Sequence, residues 1–426
     1  MRARYLAAAA LVLSAAATQA QTIAITGGKV YPISGPVIEG GTVLLRDGKI
    51  VAVGRDVSIP ADAQRIDATG KVVTPGLVNA ATELGLTEIG AVGTTREYGA
   101  PNNENGIAAA FMPWEGLNPT SMLLAPAREA GVTTVMVAPE GGLVSGQAAV
   151  VHLVPGSARE MILRSPVGMV ATLGPGRGQN GGSRAETIMR LREVLDDART
   201  YRTHRTDFDR AQLRPLSASR LDLEALLPVL DGRVPMIIEA EKSSDIEAAM
   251  TLAKDFGFRM ILAGGAEAWM VADKLAAAKI PVLTGAMNNI PTSFATLGQR
   301  QENAGLLQKA GVQVSVIGNA GGGDEEAFNV RNIRFEAGNA VAYGMDWDAA
   351  LRAITLTPAE TFGVADRVGS LAPGRSADVV VWSGDPLEFA TEPVHVFIAG
   401  REVTQPSRQD LLEQRYKTLP PNYRQP

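Results

Sequence analysis

Residues 236–284 read MIIEAEKSSDIEAAMTLAKDFGFRMILAGGAEAWMVADKLAAAKIPVLT and contain two complete strand–helix repeats. The mostly apolar runs Met236–Ala240, Met260–Ala263 and Pro281–Thr284 have the composition and length of buried strands. They are separated by Asp245–Phe256 and Glu267–Ala278, which are predicted as helices. Strands that alternate with helices in this way predict parallel pairing, with the helices packed against the sheet.

The same alternation extends from residue 75 to residue 364. Further strand candidates are Leu77–Ala80, Thr133–Ala138, Val167–Leu173 and Gln313–Ile317, and Ala185–Arg202 is a further helix candidate. Repetition over this length predicts an α/β fold in which a closed parallel (β/α)8 barrel, a TIM barrel, carries its helices outside. Alternation alone leaves an open doubly wound sheet as the alternative.

Both ends of the chain are rich in short strands instead. The candidates are Ile23–Ile25, Lys29–Tyr31, Thr42–Arg46, Lys49–Val53 and Lys71–Val73 near the beginning, and Ala377–Trp382, Val394–Ala399 and Arg401–Val403 near the end. Asp47-Gly48 favours a type I′ hairpin turn. We expect residues 21–74 and 365–404 to pair as one composite β-sandwich domain beside the barrel of residues 75–364. Residues 405–426 are expected to form a poorly packed tail.

Residues 1–20 are predicted to be a signal peptide. Arg2 and Arg4 precede an apolar run from Leu6 to Ala17, and small residues surround a cleavage point before Gln21. The run is too short to cross a bilayer, and the alternative is an uncleaved interfacial anchor. We therefore expect a secreted or periplasmic protein with no membrane span in its mature chain.

Composition excludes several classes of function. The chain of 426 residues is 46% hydrophobic, carries a net charge of −5 and contains no cysteine. Disulfides, thiolate zinc sites and cysteine nucleophiles are therefore excluded, and nucleic acid is not an expected partner. Its three histidines are too few for the imidazole clusters of many binuclear metal hydrolases.

Two motifs resemble the amidohydrolase superfamily. They are VTPGLVNA at residues 73–80 and GSLAPGRSADVVV at residues 369–381, and the segment ALRAIT at residues 350–355 agrees with them. The resemblance covers nearly the whole mature chain and is closest to the imidazolonepropionase-like and dipeptidase-like branch. It implies a (β/α)8 barrel with a bipartite β-sandwich. It also implies hydrolysis of C–N bonds by one or two metal ions at the carboxyl-terminal mouth of the barrel.

The chain departs from this family where the metal ligands belong. Followed strand by strand, the resemblance places the family's ligand positions at Ala81-Thr82-Glu83, Glu239-Ala240-Glu241, Gly264 and Asn319. None of the family's histidines is retained at these positions, and zinc is not expected. The chain's own histidines, His152, His204 and His395, are interpreted as ordinary packed or solvated side chains.

Glu83, Glu239 and Glu241 are the candidate catalytic residues. Glu239 and Glu241 are two apart on a predicted strand and so share one face, and Glu83 ends the first barrel strand at the same mouth. Converging carboxylates suit a hard divalent cation (Mg, Mn or Ca) or a general acid–base pair. The alternative is that they cap loops or pair with neighbours such as Lys242 and Arg331.

Trp114, Ser145 and Asn319 are the candidate substrate-binding residues. Trp114 lies in an aromatic loop that borders the substrate pocket in this branch, and Ser145 lies in a glycine-rich segment whose N–H groups can bind a carboxylate. Simple packing of the aromatic loop and a tight glycine turn are the alternatives. The G-x-G-x-x-G match at residues 176–181 favours a flexible barrel loop, because Asp196 falls inside a helix and not after a second strand.

Three functions are compatible with this sequence. The first is an exported hydrolase of amide or cyclic amide C–N bonds whose activity rests on carboxylates, which is a family analogy. The second is a non-catalytic relative that binds a small molecule or pairs with an active homologous subunit, and a homo-oligomer is also compatible. The third is a structural or interaction protein. The intact scaffold motifs favour a folded family member and leave its activity open.

Overall fold

The computed structural model describes residues 22–101, 105–174, 183–287, 290–291, 293–318, 325–404 and 406–418. The predicted signal peptide, the glycine motif at residues 176–181 and Asn319 lie outside the described residues.

The strands of the described chain form two β-sheets. They are β1 (Ile23–Val30), β2 (Ile38–Arg46), β3 (Lys49–Gly54), β4 (Gln64–Asp67), β5 (Val72–Pro75), β6 (Leu77–Thr82), β7 (Val132–Val137), β8 (Val144–His152), β9 (Ile162–Thr172), β10 (Met236–Ala240), β11 (Met260–Gly264), β12 (Val282–Thr284), β13 (Val314–Val316), β14 (Val379–Trp382), β15 (Pro393–Ile398) and β16 (Arg401–Glu402).

The α-helices alternate with the barrel strands over much of the chain. They are α1 (Leu124–Glu129), α2 (Ala158–Met161), α3 (Arg184–Thr203), α4 (Arg205–Asp209), α5 (Arg220–Leu230), α6 (Ser243–Phe256), α7 (Ala272–Ala277), α8 (Asn303–Lys309), α9 (Glu325–Phe328), α10 (Ile333–Ala342), α11 (Trp347–Ala353), α12 (Leu356–Thr361) and α13 (Arg408–Tyr416).

The first sheet joins the two ends of the chain. Its order is β16-β15-β14-β5-β1-β2-β3, with β4 beside β1. β14 pairs antiparallel with β5, so that Val379 lies opposite Pro75. The turn between β2 and β3 has positive φ angles at Asp47 (52°) and Gly48 (73°). These angles are those of the type I′ turn that the Asp-Gly pair predicts.

The second sheet forms the barrel predicted from the strand–helix alternation. Its described strands follow the order β13-β12-β11-β10-β9-β8-β7-β6, and β13 lies next to β6 so that the barrel is nearly closed. The all-parallel arrangement is wrong at one strand, because β8 runs antiparallel to both β7 and β9. Only residues 138–143 connect β7 to β8, which is too short for a helical crossover and long enough for a hairpin.

Side chains of the barrel strands alternate between an inner and an outer layer. The inner cluster contains Met136, Val170, Ile237, Ile261 and Leu283. The residues next to them in sequence face outward into a larger cluster with the helices, as Met169, Ile238 and Leu262 do. This alternation follows from the two-residue period of a strand and leaves the inner layer as a solid floor beneath the barrel mouth.

Buried polar contacts occur both within the first sheet and between the two sheets. Within the first sheet, Trp382 of β14 donates its Nε1–H to Thr74 Oγ1 of the neighbouring strand β5 at 2.8 Å. His152, at the end of β8, places Nε2 2.9 Å from each carboxylate oxygen of Asp378. Asp378 also accepts hydrogen bonds from Ser376 Oγ and from the backbone N–H of Ala399. His152 is therefore engaged in the interface between the sheets.

Within the segment predicted to be a poorly packed tail, residues 408–416 form the helix α13. Ser407 begins this helix with a capping box, in which its hydroxyl and backbone N–H bond the carboxylate of Asp410. None of the residues of α13 is buried. Within the described chain, we find no helix with the length and apolar character that crossing a membrane requires.

Candidate active site

A cavity of about 490 Å³ opens at the carboxyl-terminal ends of the barrel strands. Its floor consists of the inner-layer residues Met136, Val170, Ile237, Leu283 and Ile317. Its described polar lining is Thr82, Glu83, Glu140, Thr172, Glu239, Glu241, Ser293 and Thr296. An apolar floor with a few polar groups above it, within this range of volume, is typical of a small-molecule site.

Glu239 is half-buried and faces the cavity from the inner side of β10. It follows Ile237 on the same face of the strand and lies in register between Thr172 of β9 and Ala263 of β11. Thr172 donates its hydroxyl to Glu239 Oε2 at 3.1 Å. This bond fixes one oxygen of the Glu239 carboxylate. On the side of β11, the small side chain of Ala263 leaves space next to the carboxylate.

Glu241 also lines the cavity, but its carboxylate serves the neighbouring backbone. Oε2 of Glu241 accepts a hydrogen bond of 2.8 Å from the N–H of Ala266. The Glu241 carboxylate also lies against the Cα of Gly264, in the space that a Cβ at residue 264 would need. Gly264 has a φ of 81°, which favours glycine. Gly264 stands at the position that resembles the family's sixth-strand ligand. The carboxylate of Glu241 therefore occupies the space that a side chain at this position would take.

Glu83 and Glu140 reach the cavity from the ends of two other strands. Glu83 directly follows β6 and is only 1% exposed. Glu140 lies three residues after β7, and its backbone exchanges hydrogen bonds with residues 98–100. Sequence reasoning identified Glu83 but missed Glu140 and Thr172. Their positions just beyond or at the ends of predicted strands are the signal that points to them.

The other two predicted substrate contacts that can be located lie away from this cavity. Trp114 is 7% exposed and packs in the main apolar cluster, as the packing alternative for its loop predicts. Ser145 lies within β8 and is 1% exposed. Its segment forms a strand where a glycine loop was expected, because residues 144–152 pair with both β7 and β9. Neither residue is among those that line the cavity.

The segment after β12 covers one side of the mouth. Ser293, Ala295 and Thr296 line the cavity from this segment. Ser293 accepts a hydrogen bond from the N–H of Ala295 and thereby caps a single 3-10 turn. Phe294, between them, is 85% exposed and points away into solvent. The segment therefore presents its small polar side chains to any molecule in the cavity.

The described donor atoms do not fit the metal centre that the family resemblance implies. The described residues contain no group of three or more His, Cys, Asp or Glu side chains placed to hold a metal ion. None of the described lining residues is a histidine, and Gly264 supplies no donor. Glu83, Glu239 and Glu241 line one cavity, yet they do not form the hard-cation site hypothesised from the sequence.

Comparison with known proteins agrees with the barrel fold. The sequence model of the amidohydrolase family matches residues 242–403. The imidazolonepropionase of Acidiphilium cryptum is 24% identical over 398 residues, covering 83% of this chain and 89% of that protein. The amidohydrolase TasK of Hapsidospora irregularis is 25% identical over 397 residues, covering 84% of this chain. This chain spans only 39% of the length of that relative.

A solved amidohydrolase from Thermotoga maritima shares the fold over its whole length. It superposes with a TM-score of 0.80 and 28% identity, covering 90% of this chain and all of that one. The match of residues 242–403 to the family model, the full-length relatives and this shared fold together support the amidohydrolase superfamily for this chain.

Proposed function

We propose that this protein is an exported hydrolase that cleaves a C–N bond of a small amide or cyclic amide in the cavity at the barrel mouth, with Glu239 as its general base. The observation that carries the proposal is the half-buried Glu239 carboxylate, which faces the cavity and is held on one side by Thr172. Its other oxygen is available to a water molecule bound above the apolar floor.

The chemistry needs one carboxylate that first accepts and then returns a proton. Glu239 takes a proton from water, and the hydroxide oxygen attacks the carbonyl carbon of the amide. As the C–N bond breaks, the nitrogen leaves with the proton from Glu239, and the carboxylate is regenerated. A general base of this kind contributes about 10²–10⁴-fold to a rate. Similarity to the amidohydrolase family supports the hydrolase class, and the choice of bond is an analogy.

Replacing Glu239 by glutamine tests the proposal. Glu239→Gln keeps the size of the side chain and the Thr172 contact but cannot accept the proton, so kcat falls at least about 10²-fold while the melting temperature is unchanged. A panel of N-acyl amino acids, dipeptides and cyclic imides provides the substrates, and Thr172→Val is the companion variant. Full activity in Glu239→Gln rules out the proposed role of Glu239.

A second candidate function is binding without turnover. It is favoured by the lack, among the described residues, of a group that can hold a metal ion. In that case, members of the same panel raise the melting temperature of both the wild type and Glu239→Gln, and neither protein releases product. Elemental analysis of protein purified without chelator accompanies both tests, and we expect less than about 0.1 equivalent of any divalent ion.

Export is tested separately from catalysis. Cleavage before Gln21 predicts a mature protein that begins at this residue and is recovered outside the cytoplasm. Intact-mass measurement of the protein from its native host distinguishes this product from a chain that still begins at Met1. Recovery of only the uncleaved chain in the cytoplasmic fraction contradicts export.

A further inference from the structure

A second cavity, of about 650 Å³, lies at the opposite end of the barrel from the candidate active site. Pro235, Met260 and Pro281 line it where β10, β11 and β12 begin. The carboxyl-terminal half of α6, the segments that follow α6 and α7, and Thr361 of α12 complete its walls. The same strands carry the active-site residues Glu239 and Gly264 at their other ends, so one ligand cannot occupy both cavities.

Three cationic side chains line this second cavity, namely Lys254, Arg259 and Lys279. No Asp or Glu occurs among its described lining residues. None of the three cations has a carboxylate within ion-pair distance in the described part of the chain. Lys274, on the outer surface of α7, is by contrast paired with Glu247. The wall of the cavity therefore carries three exposed positive charges that have no direct carboxylate partner among the described residues.

Arg259 is held in place by backbone acceptors. Its Nε and Nη2 atoms donate hydrogen bonds of 2.9 Å to the carbonyl oxygens of Gly232 and Arg233. A guanidinium group has five N–H donors, so others remain for a bound anion. Because the side chain is already ordered by these two bonds, it loses little conformational freedom when an anion binds.

Lys279 occupies a backbone position at which glycine fits better. It follows the end of α7 with a φ of 53°, in the left-handed region. Gly311 occupies the corresponding position after α8, with a φ of 86°. Glycine is the common residue at such helix ends because a Cβ is strained there. Backbone geometry therefore does not explain a lysine at residue 279, whereas a role for its charge in the cavity does.

The rest of the wall is apolar. Met250, Phe258 and Ile280 contribute to it together with the two prolines. The ends of α6 and α7 each add about half a negative charge, which three full positive charges outweigh. A ligand that matches this lining has one anionic group and a compact apolar body. We propose that the cavity binds a small carboxylate of this kind, such as an aryl-alkanoate, independently of the function proposed for the barrel mouth.

Calorimetric titration of the full chain with 4-phenylbutyrate tests the proposal. We expect saturable binding of one equivalent per chain with a Kd below about 1 mM, weakened by salt. The control ligand 4-phenylbutylamine has the same apolar body with the opposite charge, and we expect no saturable binding. Absence of saturation by the carboxylate up to several times this concentration overturns the proposal, as does equal binding of the amine.

Variants locate the binding site. Lys279→Gly removes the charge and relieves the backbone, so the affinity falls about tenfold while the melting temperature stays the same or rises by about 1–3 °C. Lys254→Met lowers the affinity similarly, whereas the matched surface control Lys274→Met leaves it unchanged. Unchanged affinity in both cavity variants overturns the proposal. Loss of binding in Glu239→Gln alone also overturns it, because the ligand then occupies the barrel mouth.

Discussion

Gly76 lies where β5 of the first sheet passes into the barrel. It is buried, and a Cβ at this position would overlap the side chain of Thr133 on β7, with the Cβ of Thr133 itself only 2.7 Å away. Real Cβ atoms essentially never come so close. The glycine is therefore required by the close approach of two strands and not by its backbone angles.

Gly76→Ala is accordingly expected to lower the free energy of unfolding by about 2 kcal/mol or more, which urea titration measures. The hydroxyl of Thr133 is buried and has no hydrogen-bond partner among the described residues, so Thr133→Ala alone costs little. The double variant Gly76→Ala with Thr133→Ala lacks Cγ2 and Oγ1 of residue 133, which are the two nearest atoms, but keeps its Cβ. The second substitution therefore restores only part of the lost stability. Additive effects of the two substitutions would contradict the proposed overlap.

At the candidate site, the positions of Glu239 and Glu241 were predictable from the sequence, but the contacts of Glu241 were not. The two-residue spacing of Glu239 and Glu241 predicts a shared face, and both residues line the cavity. Spacing does not reveal that Glu241 bonds the N–H of Ala266 and fills the space beside Gly264. That arrangement depends on the backbone angle of Gly264, which a single sequence does not specify.

At the scale of elements, α6 carries a buried carboxylate in its first turn. Asp245 is 4% exposed, and its burial raises its pKa above the usual 3.8. Arg184, whose Nη1 lies 3.0 Å from Asp245 Oδ1, opposes this increase without cancelling it. In the folded state the ionised form is therefore disfavoured, although Asp245 lies at a helix start, where negative charge is otherwise favourable.

The free energy of unfolding consequently depends on pH through Asp245. Because the folded pKa is the higher one, its contribution to stability decreases as the pH rises from about 3.8 through the folded value. Asp245→Asn cannot ionise, so its stability relative to the wild type increases over that window and then remains constant. Urea unfolding at a series of pH values measures the difference. If the wild type instead became more stable relative to Asp245→Asn as the pH rises, the ion pair with Arg184 would outweigh the effect of burial on the pKa of Asp245.

Among the barrel strands, β8 is the one that the sequence pattern did not predict. The other strands of the barrel were found from apolar runs separated by helices or loops. β8 contains Gly146 and follows Gly141 and Gly142, so its first half resembles a glycine loop. Its pairing with β7 and β9 depends on contacts distant in sequence, which local composition does not encode. For the same reason Ser145 was placed at the mouth when it is buried in a strand.

For the whole molecule, one face of the first sheet shares an apolar cluster with the outside of the barrel, while its other face has a cluster of its own that contains Val379 and Val381. Val380, Trp382, Val396 and Ile398 of the first sheet belong to the same cluster as the outer side chains of the barrel. The buried contact of His152 with Asp378 crosses this boundary. We therefore expect the two parts to unfold together, in one calorimetric transition whose van't Hoff and calorimetric enthalpies agree.

Asp378→Asn tests this coupling. In this variant the amide group of residue 378 faces His152, Ser376 and the N–H of Ala399, which the carboxylate bound in the wild type. The single transition therefore moves to lower temperature, and the free energy of unfolding falls by about 3 kcal/mol. The matched control is Glu402→Gln, which alters the more exposed pair of His395 and Glu402 and costs less than about 1 kcal/mol. A second transition in Asp378→Asn, with the barrel unfolding at the wild-type temperature, would contradict a shared core.

The pairing of β5 with β14 also affects how the chain is made. These neighbours are separated by about 300 residues of sequence, which a ribosome adds in about 15–60 seconds. During that interval β5 has β1 on one side and no partner on the other, and exposed strand edges of this kind attract strands of other chains. A nascent chain of this architecture consequently needs its amino-terminal strands protected until synthesis is almost complete.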